Sequence, residues 1–231
     1  IVFKETLVPH RYAVKSGEKL KDLRQFPKHI EKILKISENT DSKRLTFVAL
    51  GGGSVGDFAG FVASVFKRGS DLIHIPSTWL SSIDSAHGGK TGLNVQSSKN
   101  QIGTFYPANQ VWLIKPLLEA QPLDRTSEAL GEILKMALIQ GGGLWNKVSK
   151  VDRLEELKPW NLLKDLIEAK LSVVDSDPKE IKGLRSVLNL GHTVGHVFEA
   201  ELKTPHGIAV LWGLGFALQW SLRRKVLDQR Q

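Results

Sequence analysis

Cysteine is absent from this chain of 231 residues, methionine occurs once and tyrosine twice. Without cysteine there is no disulfide scaffold, and the composition fits a reducing compartment, so the cytoplasm is the expected location. Closed structural zinc sites are mostly thiolate-rich. Any metal here must instead use nitrogen and oxygen ligands, which points to an open, catalytic site. Long apolar runs are also missing. The stretch from Ile208 to Trp220 is too short and too broken by glycine to span a bilayer, and reads as a buried helix. No signal peptide, repeat or low-complexity tract stands out. Because the chain begins at Ile1 rather than Met, the gene is expected to encode further residues. Acidic excess is lacking as well: 32 Lys and Arg face 24 Asp and Glu, leaving +8 and a pI near 9.6. The cations are scattered, with Arg223-Arg224-Lys225 the longest cluster. A nucleic-acid footprint would be more concentrated, so the expected partner is a small phosphorylated or carboxylated molecule.

What is present reads as an α/β fold. A short strand is expected over 11–15 and a helix over 23–37, with Phe26, Ile30, Ile33 and Leu34 on one side. A polar turn follows at 39–43. The continuous apolar run 45–50 has the character of a buried parallel strand. It leads into glycines and a helix ending near Phe66, then a strand over 71–75. A glycine- and polar-rich connection over 82–109 precedes a strand over 111–114. This alternation predicts a Rossmann-like parallel sheet with helices on its faces. After Pro116 helical patterns dominate, about 127–138, 161–175, 188–202 and 208–226, with Gly141 to Gly143 as a flexible break. The expected organisation is an α/β lobe over 1–118 and an α-helical lobe over 119–231, with the active site in the cleft between them.

The densest chemistry lies between Arg185 and His206. On a helix His192 and His196 share a face, and Arg185, Asn189, His192 and His196 form one polar line at spacings of four, three and four. An HxxxH pair is a metal candidate, and equally a pair of ordinary hydrogen-bonding histidines. Gly51-x-Gly53-x-x-Gly56 follows a strand and opens a helix, which suits close approach to a pyrophosphate; a tight turn would use the same glycines. No acid sits at the end of the next strand to hold a ribose, and Asp57 would oppose a phosphate unless it contacts ribose or nicotinamide-side groups. Ser77, Thr78, Asp84 and Lys90 crowd the next strand end, with Lys99 and Asn100 beyond. Glu132 and Lys135 form an ion pair at helical spacing on a segment that is apolar nearly all round, so it faces a cleft rather than bulk water. Lys170, taken alone, reads as a solvated position whose stem covers apolar surface.

Together these motifs resemble 3-dehydroquinate synthase, a sugar phosphate cyclase family related to the iron- and zinc-dependent polyol dehydrogenases. The carriers of the resemblance are residues 16–21, 49–57, 67–69, 75–78, 84–91, 98–100, 131–135, 183–185, 188–196 and 206–207, in that order. The resemblance implies that Glu132, His192 and His206 bind zinc or a similar divalent cation such as cobalt, and that His196 contacts substrate rather than metal. It implies that Asp84, Lys90, Asn100, Lys135, Lys170, Arg185 and Asn189 serve substrate binding and acid–base steps. Arg68 would reach the substrate phosphate of the neighbouring subunit in a homodimer. Glu18, Lys21, Gly53, Ser54, Val55, Gly56, Asp57, Ser77, Thr78, Lys90 and Lys99 would contact NAD.

The implied reaction converts 3-deoxy-D-arabino-heptulosonate 7-phosphate to 3-dehydroquinate and phosphate. Transient oxidation by NAD at C5 permits β-elimination of phosphate; reduction, ring opening and an intramolecular aldol follow. Basic side chains would neutralise phosphate and carboxylate, which accounts for the positive balance without nucleic acid or membrane. Three departures stand out. Ile208 replaces a glutamate common after the third histidine, which predicts weaker support of the metal ligands. Ala120 replaces a hydroxyl residue, and the spacing from His196 to His206 is short. Against the family pattern, the first strand–helix unit and the last helices, with a C-terminal lysine of the phosphate site, are missing. Another sugar phosphate cyclase, an NAD-dependent polyol dehydrogenase and a non-catalytic nucleotide binder are the alternatives.

Overall fold

A computed structural model describes residues 10–38 and 45–227; the expected polar turn at 39–43 lies outside them. The chain divides into two compact units, one holding residues up to Ser81 together with Gly89–Ala120, the other holding Ser82–Gly88 together with the residues from Gln121 onward.

In the first unit, helix α1 (Phe26–Ser37) precedes strand β1 (Thr46–Gly51), helix α2 (Gly53–Val65) and strand β2 (Asp71–Pro76). Short helix α3 (Trp79–Ile83) leads to an antiparallel hairpin of β3 (Lys90–Val95) and β4 (Ser98–Phe105). Strand β5 (Gln110–Val111) and helix α4 (Lys115–Glu119) end the unit. The sheet is parallel, in the order β1-β2-β5, with Thr46 opposite Asp71 and Gly51 opposite Pro76. Helix α2 makes the crossover that two adjacent parallel strands require. Its buried face carries Phe58, Phe61 and Val62, which join Leu20, Phe66 and Leu93 in the core. These spacings of three and four place the apolar groups on one side of the helix. Phe26 of α1 lies edge-on to Phe61, centroids 5.3 Å apart. Deleting the Phe61 ring would cost about 3–5 kcal/mol by the usual cost of a large core truncation.

Three expectations are corrected here. Residues 11–15 form no strand; Val14 packs on the α2 core and the Tyr12 hydroxyl bonds His29 Nδ1 at 2.6 Å, so side chains rather than a ladder anchor the segment. The connection 82–109 contains the β3–β4 hairpin, hidden because β4 is mostly exposed and therefore polar, and because glycines sit where its backbones touch. A Cβ on Gly103 would strike the Thr91 carbonyl. The last strand is shorter than 111–114, pairing only Gln110 and Val111 with Ile73 and His74.

The second unit is helical: α5 (Leu123–Ser127), α6 (Leu130–Gln140), α7 (Gly142–Val148), α8 (Pro159–Ser176), α9 (His192–Leu202) and α10 (His206–Arg223). Gly141, at φ 64°, ends α6, and Gly142 already belongs to α7, so the glycine triplet joins two helices. Helix α6 packs on α7, α8 and α10, burying Ile133, Met136, Leu144, Leu163, Leu166, Val210 and Leu214. The polar line from Arg185 to His196 does not lie on one α-helix. Arg185 and Asn189 sit on a 3₁₀ segment, Leu184–Asn189, and Gly191 at φ 80° breaks the chain before α9 starts at His192. Among the described residues no helix is long and apolar enough to cross a membrane.

Candidate functional site

Three sequence-distant segments meet in the helical unit because glycines let their backbones touch. A Cβ on Gly131 of α6 would collide with the Gly207 carbonyl of α10, and one on Gly207 would collide with the Glu128 carbonyl. A Cβ on Gly213 would strike the Gly191 carbonyl, while Gly195 of α9 lies against Ala209 of α10. Backbone cannot yield as a flexible side chain can, so even alanine at these positions forces the helices apart. The residues adjoining these contacts are Glu132, His192 and His206. Close packing of α6, α9 and α10 therefore carries one carboxylate and two imidazoles to the same place.

Their donor atoms lie within 4.8 Å of one another. Glu132 Oε1 is 3.4 Å from His192 Nε2 and 3.9 Å from His206 Nε2. The opposite ring nitrogens are engaged elsewhere: His192 Nδ1 faces the Leu190 carbonyl at 3.3 Å, and His206 Nδ1 faces Glu199 Oε2 at 3.0 Å. A carbonyl and a carboxylate only accept, so each Nδ1 carries a hydrogen, and each ring turns its Nε2 toward Glu132. Burial, helped by the Lys135 charge, lowers the His192 pKa from 6.5 to about 4, so this ring is neutral near pH 7. Glu132 is 1 % exposed, and neither carboxylate oxygen has an aligned hydrogen-bond donor. Burial and then the nearby Asp84 charge push its pKa up, although Lys135 pulls the other way. Two ring nitrogens facing a buried carboxylate oxygen, Glu132 Oε1, that no hydrogen bond satisfies form an arrangement that a cation among them would satisfy.

Charged groups surround this triad. Lys135, one turn along α6 and 2 % exposed, pairs with Glu132 Oε2. Lys170 of α8 is also buried and pairs with Asp84 Oδ1. It is therefore not the solvated position that its helix pattern suggested. Burial alone would raise the Asp84 pKa, but the Lys170 and Lys135 ammoniums outweigh it and hold the carboxyl well below the usual range. Arg185, 3 % exposed, donates from Nη2 to the Gly88 carbonyl at 2.6 Å and from Nη1 to the Pro178 carbonyl at 3.1 Å. His196 and Asn189 are exposed; the His196 ring centroid lies 5.5 Å from that of His192 and 6.3 Å from that of His206.

The other named residues belong to the α/β unit. Gly53, Ser54, Val55, Gly56 and Asp57 form the first turns of α2; the Gly52 carbonyl accepts from Val55 N at 3.1 Å and Gly56 N at 3.0 Å, so only the N–H groups ahead of Val55 precede the helix ladder. The turn is cramped: a Cβ on Gly52 would come within 3.2 Å of the Thr78 methyl, and one on Gly56 within 3.4 Å of His74. Ser77 N bonds the Gly51 carbonyl at 2.9 Å, so Ser77 and Thr78 stand beside the glycine turn at the carboxyl ends of β1 and β2. In open parallel sheets this edge is where ligands bind. Lys21, 3 % exposed, donates to Asp57 Oδ2 at 2.7 Å, which offsets the acid that seemed to oppose a phosphate. Glu18 Oε2 accepts from Asn94 Nδ2 at 2.8 Å, and Asn94 Oδ1 accepts from Asn100 N at 2.9 Å. Asn94 thus ties two named residues together, a role that no local spacing signals. Glu199, within the densest motif, likewise carries no spacing signal of its pairing with His206. Lys90, Lys99 and Arg68 are exposed, and Arg68 sits at φ 65° on a tight turn.

A family model of the 3-dehydroquinate synthase N-terminal region matches residues 11–128, and one of the C-terminal region matches 129–231. The 3-dehydroquinate synthase of Alkaliphilus metalliredigens is 36% identical over 97% of this chain and 64% of its own length. That of Sulfurisphaera tokodaii is 39% identical over 86% of this chain and 57% of its own. This chain thus spans less than two thirds of either relative. A crystal structure of 2-deoxy-scyllo-inosose synthase complexed with carbaglucose-6-phosphate, NAD⁺ and Co²⁺ superposes with a TM-score of 0.80 at 28% identity, covering 94% of this chain and 59% of that one. With both halves matched, the chain belongs to the 3-dehydroquinate synthase family.

Proposed function

We propose that this protein is a 3-dehydroquinate synthase, an NAD- and metal-dependent lyase of aromatic amino acid biosynthesis. Its substrate would be 3-deoxy-D-arabino-heptulosonate 7-phosphate, and its products 3-dehydroquinate and phosphate. The observation that carries the reading is the convergence of Glu132, His192 and His206, donor atoms within 4.8 Å, beside the buried Lys135 and Lys170. Glu132 Oε1, which no hydrogen bond satisfies, and the two Nε2 atoms facing it fit zinc or cobalt, hard enough for oxygen and suited to imidazole. The cramped glycine turn at the sheet edge fits the pyrophosphate of NAD. When bound, the cation would supply Lewis acidity toward substrate hydroxyls, and NAD would supply a reversible hydride acceptor.

The chain's own residues hold and neutralise the substrate. Asp84 fixes the Lys170 ammonium by a close ion pair, so Lys170 and Lys135 present N–H donors to anionic oxygens from a dry setting, where such bonds are strong. Arg185 commits N–H groups to Gly88 and Pro178, which fixes the guanidinium plane and orients its other donors for the substrate carboxylate. His196, exposed beside the two ligand rings, serves proton transfer to the substrate, with Asn189 and Asn100 as hydrogen-bonding partners and Lys90 as a further cation. The NAD contacts are Glu18, Lys21, residues 53–57, Ser77, Thr78, Lys90 and Lys99. Arg68 reaches the substrate phosphate of the second subunit of a homodimer, and the protein is cytoplasmic. The likeness to 2-deoxy-scyllo-inosose synthase favours a second reading, a cyclase for a sugar phosphate without carboxylate; carboxylate binding by Arg185 speaks for the first.

The full-length protein, supplied with NAD⁺ and zinc, should release phosphate from the heptulosonate phosphate without net NADH accumulation. Absence of release sinks the proposal, and preferential turnover of a carboxylate-free sugar phosphate favours the second reading. His196→Ala should impair turnover while keeping the metal.

A further inference from the structure

The two candidate imidazole ligands are held unequally. His192, 15 % exposed, has Nδ1 on a neutral backbone carbonyl at 3.3 Å. His206 is more open, at 34 % exposed, and has Nδ1 on the Glu199 carboxylate at 3.0 Å. His206 is the first residue of α10, with no preceding helical turn to confine its ring, and Glu199 reaches it from α9. The position two residues after His206 carries Ile208 and offers no acceptor. We infer that Glu199 is the positioning residue of the metal centre: its carboxylate takes the Nδ1 hydrogen of His206, fixes the ring, and keeps the Nε2 lone pair aimed at the cation.

The physical ground is that a charged acceptor makes a hydrogen bond roughly twice as strong as a neutral one. Such a carboxylate also makes the opposite nitrogen a better donor to metal, and removing one typically lowers metal affinity about 10–100-fold. A backbone carbonyl suffices for His192 because burial already confines that ring. The inference rests on the proposed metal site, so its test must separate the two.

The experiment measures zinc affinity by chelator competition, together with the cobalt absorption spectrum, in the full-length protein and four variants. Glu132→Gln and His196→Ala examine the site itself; Glu199→Ala and the near-isosteric Glu199→Gln examine the positioning role. Glu132→Gln should abolish binding and His196→Ala should leave it intact. Glu199→Ala should weaken it about 10–100-fold, and Glu199→Gln less, because the amide oxygen still accepts the Nδ1 hydrogen. In metal-free protein, ¹⁵N NMR should show His206 protonated on Nδ1, and Glu199→Ala should shift hydrogen to Nε2; this readout does not depend on metal or on a small loss of stability. Unchanged affinity and tautomer in Glu199→Ala, with binding abolished by Glu132→Gln, overturn the inference alone. Unchanged affinity in Glu132→Gln overturns the metal site. Equal loss in His196→Ala and Glu199→Ala would make Glu199 a direct ligand with His196 and His206, whose atoms also lie within 4.8 Å of one another, and would overturn the positioning role.

Discussion

The two units build their candidate sites from opposite materials. At the sheet edge of the α/β unit, the candidate parts are backbone, in the glycine turn, and side chains that are mostly half-buried or exposed; Lys21 and Asp57 supply a part-buried ion pair beside them. In the helical unit the same job falls to buried charges, with Glu132, Lys135, Lys170 and Arg185 all at 4 % exposure or less. A backbone site carries no net charge that an empty state would leave uncompensated. Buried charges are another matter, because they must satisfy each other, and removing one leaves its neighbour uncompensated. The helical site therefore ties stability to function, and the sheet-edge site largely does not.

That contrast breaks most visibly at Glu132. Glu132→Gln removes the carboxylate from a buried ammonium, and should destabilise the protein by about 3–5 kcal/mol in denaturant unfolding, the usual cost of breaking a buried pair. A loss below about 1 kcal/mol would mean that Lys135 reaches water. A pH titration of stability in metal-free protein comes next. Between 6.5 and about 4 an unfolded chain binds a proton at His192 while the folded one does not. The unfolded state thus holds more protons, and stability should fall as pH drops through that window, by about 3 kcal/mol at most from this ring. Glu132 has the opposite sign: its raised pKa gives stability that is full at low pH and lost as pH rises through it. His192→Gln should remove about one proton from the slope between pH 6.5 and 4; an unchanged slope would show that the ring is solvated.

The smallest effect belongs to the α/β unit. Asn94→Ala loses the bonds to Glu18 and to Asn100 N, each worth roughly 0.5–1.5 kcal/mol. It should lower NAD affinity severalfold in calorimetry while zinc affinity holds. Equal losses of both would erase the distinction between the sites.

How far each site could be read from sequence follows the same division. The glycine turn and Ser77-Thr78 are contiguous motifs after apolar strands, so local pattern exposes them. The β3–β4 hairpin escaped because its exposed strand is polar and its close contacts use glycine, which resembles a loop in composition. In the helical unit the triad came from the family resemblance, while spacing alone offered the pair His192 and His196; the polar line from Arg185 to His196 assumes one continuous helix, and Gly191 at φ 80° breaks it. Lys170 looked solvated because its partner, Asp84, lies 86 positions away. Glu199 and Asn94 act through neighbours rather than through a motif of their own, so only the packed chain reveals them.

The most direct test is anomalous diffraction at the zinc edge from crystals grown with zinc. One peak bonded to Glu132 oxygen, His192 Nε2 and His206 Nε2, at about 2.0–2.2 Å from each, is the expected result. A peak held by His196 and Glu199 with His206, or none near Glu132, would contradict the account.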